Sequence, residues 1–155
     1  RALSAKNSCR APCIMDEQLV GQKLDSLRRC IQRVESRTPT SVEQLRTDID
    51  TQDIIAINLT RAIQMCVDIG AHWLAEHGDD ESPKTMSQVF EALAKVGVID
   101  EQLANALRQS VGFRNVVVHS YSAVDLDIVY QICTGQLNQF KQFARAIGAL
   151  IEQAR

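Results

Sequence analysis

Glycine and proline are scarce in this chain, with seven and three in 155 residues, and aromatic side chains make up only 5%. That scarcity, beside 45% hydrophobic and 23% charged residues, excludes a disordered, collagenous or low-complexity chain. A long uninterrupted apolar run is also missing. Even the segment from Ile54 to Leu74 carries Asn58, Arg61, Asp68 and His72. Crossing a bilayer takes roughly 18 to 20 apolar residues, so the sequence reads as soluble and without a membrane span. No sign of charge dominates either, because 17 basic and 19 acidic residues leave a net charge of -2. A broad basic face for coating nucleic acid is thereby excluded, and any RNA contact has to be focused on a small site. The five cysteines have no metal-ligand spacing, and Cys30, Cys66 and Cys133 fall inside helical patterns. Inert, buried thiols in a reducing cytoplasm are the expectation, with no metal and no cofactor.

What is present is length for one ordinary domain and a strong helical rhythm. Residues 1–14 are small and polar, lack periodicity and precede Met15-Asp16-Glu17; they read as a tag or linker remnant, leaving 15–155 as a single domain. From Asp16, the residues Leu19, Val20, Leu24, Leu27, Ile31 and Val34 recur at steps of three and four, predicting an amphipathic helix that ends before Thr38-Pro39. Ser41 and Gln44 have capping-box spacing and open a short turn. The longest helix is expected from about Thr51 to His77, apolar on several faces and therefore buried on several sides. Gly78 to Pro83 reads as an exposed acidic loop that stops it. Thr85 and Gln88 repeat the capping box ahead of a helix closed by Gly97, and Asp100 caps the next, which runs into Arg114 to Tyr121. Asp125 or Asp127 caps a last helix reaching nearly to Arg155. The fold expected is all-α, an antiparallel bundle of about five helices. A central helix apolar on more faces than such a bundle can cover adds the expectation of a symmetric homodimer.

One stretch carries chemistry: Gly112-Phe113-Arg114-Asn115-Val116-Val117-Val118-His119-Ser120-Tyr121. Three consecutive valines favour packing, while Arg114, Asn115, His119 and Tyr121 need polar partners, and that combination fits a cleft. Asn115 and His119 are four apart and share a helical face. Arg114 and His119 are five apart, about 140° around an ideal helix, so they converge only if the helix loosens near His119 or the arginine curls back. Histidine exchanges a proton near neutral pH, arginine grips a phosphate oxygen with two hydrogen bonds, and asparagine can orient either. Together they suit metal-independent RNA cleavage, in which a 2′-hydroxyl attacks the adjacent phosphate. An ordinary satisfied hydrogen-bond network near a helix end is the other reading these residues allow. Asp68 and His72, at i and i+4 on the central helix, are candidates to support the catalytic group or simply a helix-face pair.

The string Arg-x4-His-x-Tyr, here Arg114, His119 and Tyr121, resembles the signature of the HEPN superfamily and, within it, of the HepT-like toxins. Asn58 to His72 resembles that family's long central helix, and the likeness extends over about 15–155. The resemblance implies a helical-bundle homodimer whose two Arg-His motifs face each other and form a ribonuclease cleft. It implies that Arg114 binds the scissile phosphate, that His119 is general acid or base, and that Asn115 is the polar residue following the arginine. The implied partners are an RNA substrate and a nucleotidyltransferase antitoxin of the MntA kind, which transfers AMP to Tyr121. A non-catalytic HEPN subunit presenting itself to a nucleotidyltransferase is the alternative function for the same cleft.

Overall fold

The computed structural model describes residues 16–77 and 82–154. The supposed tag at 1–14, with Cys9 and Cys13, and the Gly78 helix stop lie outside the described residues. Seven α-helices follow one another: α1 Glu17–Arg37, α2 Val42–Thr47, α3 Ile49–His77, α4 Met86–Lys95, α5 Glu101–His119, α6 Leu126–Gln131 and α7 Asn138–Gln153. A 3₁₀ turn at Tyr121–Ala123 separates α5 from α6, and a π-helical turn at Ile132–Gln136 separates α6 from α7. The expected all-α bundle is observed, and no strand occurs among the described residues.

Side-chain caps set most of the helix starts. Asp16, Ser41, Thr85 and Asp100 each accept a hydrogen bond from the backbone amide three residues on, satisfying one of the donors that a helix start leaves free. Thr85 and Gln88 form a reciprocal capping box. At α2 the reciprocal bond shifts by one residue, because Gln44 Oε1 accepts from Thr40 rather than from Ser41. α3 starts two residues earlier than the sequence reading placed it, since Asp48 receives the Thr51 amide and draws Ile49 and Asp50 into the first turn. The largest departure concerns the last helix, expected as one rod and interrupted by the π-turn. Such a turn inserts residues without ending the helix, so the apolar rows of Val129, Ile132, Cys133, Leu137 and Phe140 continue through it. That break and the short α2 raise the helix number from about five to seven.

α3 is the axis of the bundle and touches α1, α2, α4, α5 and α7. By length and composition it is apolar enough to cross a membrane, which corrects the reading that no segment qualifies. Its apolar residues are taken up by the bundle instead: Ile55, Leu59, Ile63, Cys66 and Ile69 are buried against neighbouring helices. At Gly70 an added Cβ would lie 2.7 Å from Val89 Cγ1 and 2.8 Å from Leu93 Cδ1, so the bare glycine lets α4 pack directly on α3. Gly97 ends the α4 segment in the left-handed region at φ 83°, a conformation that glycine adopts at little cost. Phe90 is fully buried and meets Phe143 edge-on, with ring centroids 6.2 Å apart and planes at 88°. Phe90→Ala removes both the burial and the edge contact, and urea denaturation is expected to register a loss of about 3–5 kcal/mol. Cys30, Cys66 and Cys133 are free and buried, and burial raises all three thiols, Cys133 to about 11. They behave as the inert side chains expected of them.

Candidate active site

The motif occupies the C-terminal end of α5 and the turn beyond it. α5 stays regularly helical through His119; the Ser120 amide still bonds Val116 O at 2.8 Å, and only then does the 3₁₀ turn begin. The loosening expected near His119 therefore comes one residue too late to swing the imidazole toward Arg114. The result is a division of the motif between two faces. Arg114 falls on one stripe, and Tyr121, past the helix end in the 3₁₀ turn, reaches α3 as well, whereas Asn115 and His119 form a second stripe rotated by about 100–140°.

The first stripe is turned to α3. There Asp53, Ile57, Gln64 and Asp68 lie within about 60° of one another on an ideal helix, a stripe that continues past the point where the core residues face away. Arg114 Nη2 reaches Gln64 Oε1 at 3.5 Å, and Gln64 Nε2 donates to Asp68 Oδ1 at 2.8 Å. Asp68 Oδ2 in turn pairs with Lys23 of α1 at 3.4 Å. Seven residues beyond Arg114, the Tyr121 hydroxyl donates to Asp53 Oδ1 in a short hydrogen bond. A half-buried arginine is thus held at the end of a polar chain running Lys23–Asp68–Gln64–Arg114, and a tyrosine is tethered to the same helix nearer its start. Arg114 Nη1 also donates to Asn115 Oδ1 at 3.2 Å, while Arg114 Nε is buried without a partner. The guanidinium is fixed in direction and retains donor capacity.

The second stripe faces outward. His119 and Asn115 are exposed, and their apolar neighbours in the chain are exposed too: Val116 at 40% and Val118 at 50%. Large apolar side chains clustered beside an ionisable group on an open surface mark a contact site rather than a solvated face. No hydrogen bond joins Arg114 to His119, so within one chain the two residues the sequence paired are not brought together. Two concavities, of about 330 Å³ between α1 and α7 and about 640 Å³ beside the π-turn, are lined by other residues; Arg114, Asn115, His119 and Tyr121 line neither.

Of the two supporting candidates, Asp68 enters the chain that ends on Arg114. His72 does not bond Asp68, and its Nε2 is buried without a partner. Among the described residues, no group of three or more His, Cys, Asp or Glu side chains is arranged to hold a metal ion. The Tyr121 phenol is displaced from its ordinary titration. Burial, then the hydrogen bond to Asp53 and its negative charge, push the phenol up to about 12. Gln64, Lys23 and Asp53 went unmarked in the sequence reading. The visible signal was the recurrence of polar residues at i, i+11 and i+15 on a helix otherwise apolar on that side.

A family model described as Ribonuclease HepT-like matches residues 27–147. The chain belongs to the HepT-like family. It is 30% identical over 131 residues to the mRNA nuclease HepT of Shewanella oneidensis, a match covering 84% of this chain and 97% of that one. It is 25% identical over 134 residues to the tRNA nuclease HepT of Aphanizomenon flos-aquae, covering 86% of each. Among solved structures, the tri-AMPylated Shewanella oneidensis HEPN toxin in complex with MNT antitoxin superposes with a TM-score of 0.78 at 30% identity, over 84% of this chain and 97% of that one. The HEPN fold expected from the motif string is therefore that of this HepT-like chain.

Proposed function

We propose that this HepT-like protein is a cytoplasmic, metal-independent endoribonuclease toxin. It acts as a two-fold homodimer built from the domain at 15–155, and an MntA-like nucleotidyltransferase neutralises it by AMPylation of Tyr121. The observation that carries this reading is the split of the motif: Arg114 is pinned on the α3 side of α5 while His119 stands exposed beside Val116 and Val118. A two-fold contact through that apolar surface covers it and sets the outward-facing imidazoles of both copies beside both arginines. The relatives, two nucleases and an AMPylated toxin, point the same way.

In the assembled cleft Arg114 holds the scissile phosphate with its free guanidinium edge, and Asn115 fixes that edge. The 2′-hydroxyl attacks the phosphorus and the 5′-oxygen departs, leaving a 2′,3′-cyclic phosphate. His119 removes the attacking proton or protonates the leaving oxygen, and two-fold symmetry supplies two imidazoles for the two tasks. Asp68 supports Arg114 through Gln64. Purified protein incubated with RNA in EDTA is expected to elute as a dimer in light scattering and to yield products ending in 2′,3′-cyclic phosphate. A monomer of 17.3 kDa at tens of micromolar, or cleavage that requires Mg²⁺, contradicts the reading.

A further inference from the structure

We propose that the Asp53 carboxylate is the base that receives the Tyr121 phenolic proton when an adenylyl group is transferred to that oxygen. This rests on the reading of Tyr121 as the AMPylated residue and adds a second participant, supplied by the chain being modified.

The geometry is specific. Tyr121 Oη donates to Asp53 Oδ1 across 68 residues of sequence, from the 3₁₀ turn to the N-terminal part of α3. Both residues are exposed, Tyr121 at 46%, so a partner enzyme can reach the phenolic oxygen while the carboxylate stays behind it. No residue of the 3₁₀ turn is buried, so the phenol–carboxylate bond is what fixes where the oxygen sits.

Chemistry makes that carboxylate useful. A phenol of ordinary pKa, about 10, is ionised to roughly one part in a thousand at neutral pH. Tyr121 is pushed up to about 12, which makes free phenolate scarcer still. Reaction through a pre-formed phenolate is therefore disfavoured at this position, and a proton acceptor within hydrogen-bond reach during bond formation is the remaining route. Tyr121 Oη attacks the α-phosphorus of ATP held by the nucleotidyltransferase, and an Oη–P bond forms. The bond from the α-phosphorus to the bridging oxygen breaks, and pyrophosphate leaves with the electron pair. The phenolic proton passes to Asp53 and then to water. The product oxygen has no proton to donate, and its phosphodiester carries a negative charge facing the carboxylate, so modification ends the tether that held the tyrosine on α3.

The test is single-turnover AMPylation of the full chain by its cognate nucleotidyltransferase with saturating Mg-ATP, read by intact mass and peptide mapping. Asp53→Asn keeps the size and can still accept from the phenol, but it is not basic. The first AMP addition is expected to slow by about 10²-fold or more. The ratio of variant to wild-type rate should climb with pH, because only phenolate can react in the variant, and Asp53→Glu should recover part of the rate. Later AMP additions, whose nucleophile is a ribose hydroxyl, should proceed at the wild-type rate. Equal first-addition rates with the same pH profile, or a loss that disappears when the nucleotidyltransferase is raised to saturation, overturn the role of Asp53. A wild-type protein modified elsewhere, with Tyr121 bare, overturns both this role and the assignment of Tyr121, and peptide mapping distinguishes the two failures.

Discussion

His119→Ala is expected to lower RNA cleavage by about 10²–10⁴ and to relieve growth arrest while the fold is unchanged. The imidazole is exposed at the last position of α5 and carries no packing that alanine would forfeit. Arg114→Ala should cost a further large factor when tested alone, about 10²–10³, because it removes the charge that meets the phosphate as negative charge develops there. The two losses should be far from additive, since both groups act on one transition state. Arg114→Lys is informative as well. An ammonium keeps the charge but loses the two-pronged grip and the simultaneous bonds to Gln64 and Asn115, so it should resemble alanine more than arginine. Initial rates on a defined RNA, with circular dichroism to check the fold, measure all three. Full activity in the His119 variant removes the imidazole from the mechanism.

The helices were legible in the sequence because their signals are local. Asp16, Ser41, Thr85 and Asp100 cap where hydroxyl or carboxylate side chains precede an apolar rhythm. The π-turn was illegible for a related reason: one wide turn leaves the spacing of Val129, Ile132, Cys133 and Leu137 compatible with an uninterrupted helix. The motif itself stood out as a string, but its division did not. Whether Arg114 and His119 converge depends on where the helix ends, and a single residue decides it. The partners of Arg114 and Tyr121 come from α3, 50 and 68 residues earlier, and nothing in the local spacing of α5 indicates them. Asp68 and His72 were marked for their i, i+4 spacing, yet Asp68 turns to Gln64, four residues the other way. Spacing marked Asp68 with His72, and the structure joins it to Gln64 instead.

Tyr121→Phe is expected to leave RNA cleavage largely intact and to abolish neutralisation by the nucleotidyltransferase. Phenylalanine retains the ring and loses only the hydroxyl, and with it the bond to Asp53. The wild-type chain, given the nucleotidyltransferase and ATP, should gain one or more AMP masses and stop cutting. The physical reason lies in the helix that both residues reach. Arg114 and Tyr121 are seven residues apart, and both bond to α3, at Gln64 and at Asp53. A phosphodiester on the tyrosine is released from the Asp53 side by the repulsion of two anions and can reach back toward Arg114. It then competes with the RNA phosphate for the Arg114 guanidinium, and because it is tethered its effective concentration is in the millimolar range. A second or third AMP lengthens the reach and adds negative charge. Ribonuclease rates for both proteins, before and after treatment, read the outcome directly. A Tyr121→Phe protein silenced as completely as wild type would mean that the nucleotidyltransferase inhibits by occupying the surface around His119, with no covalent mark required.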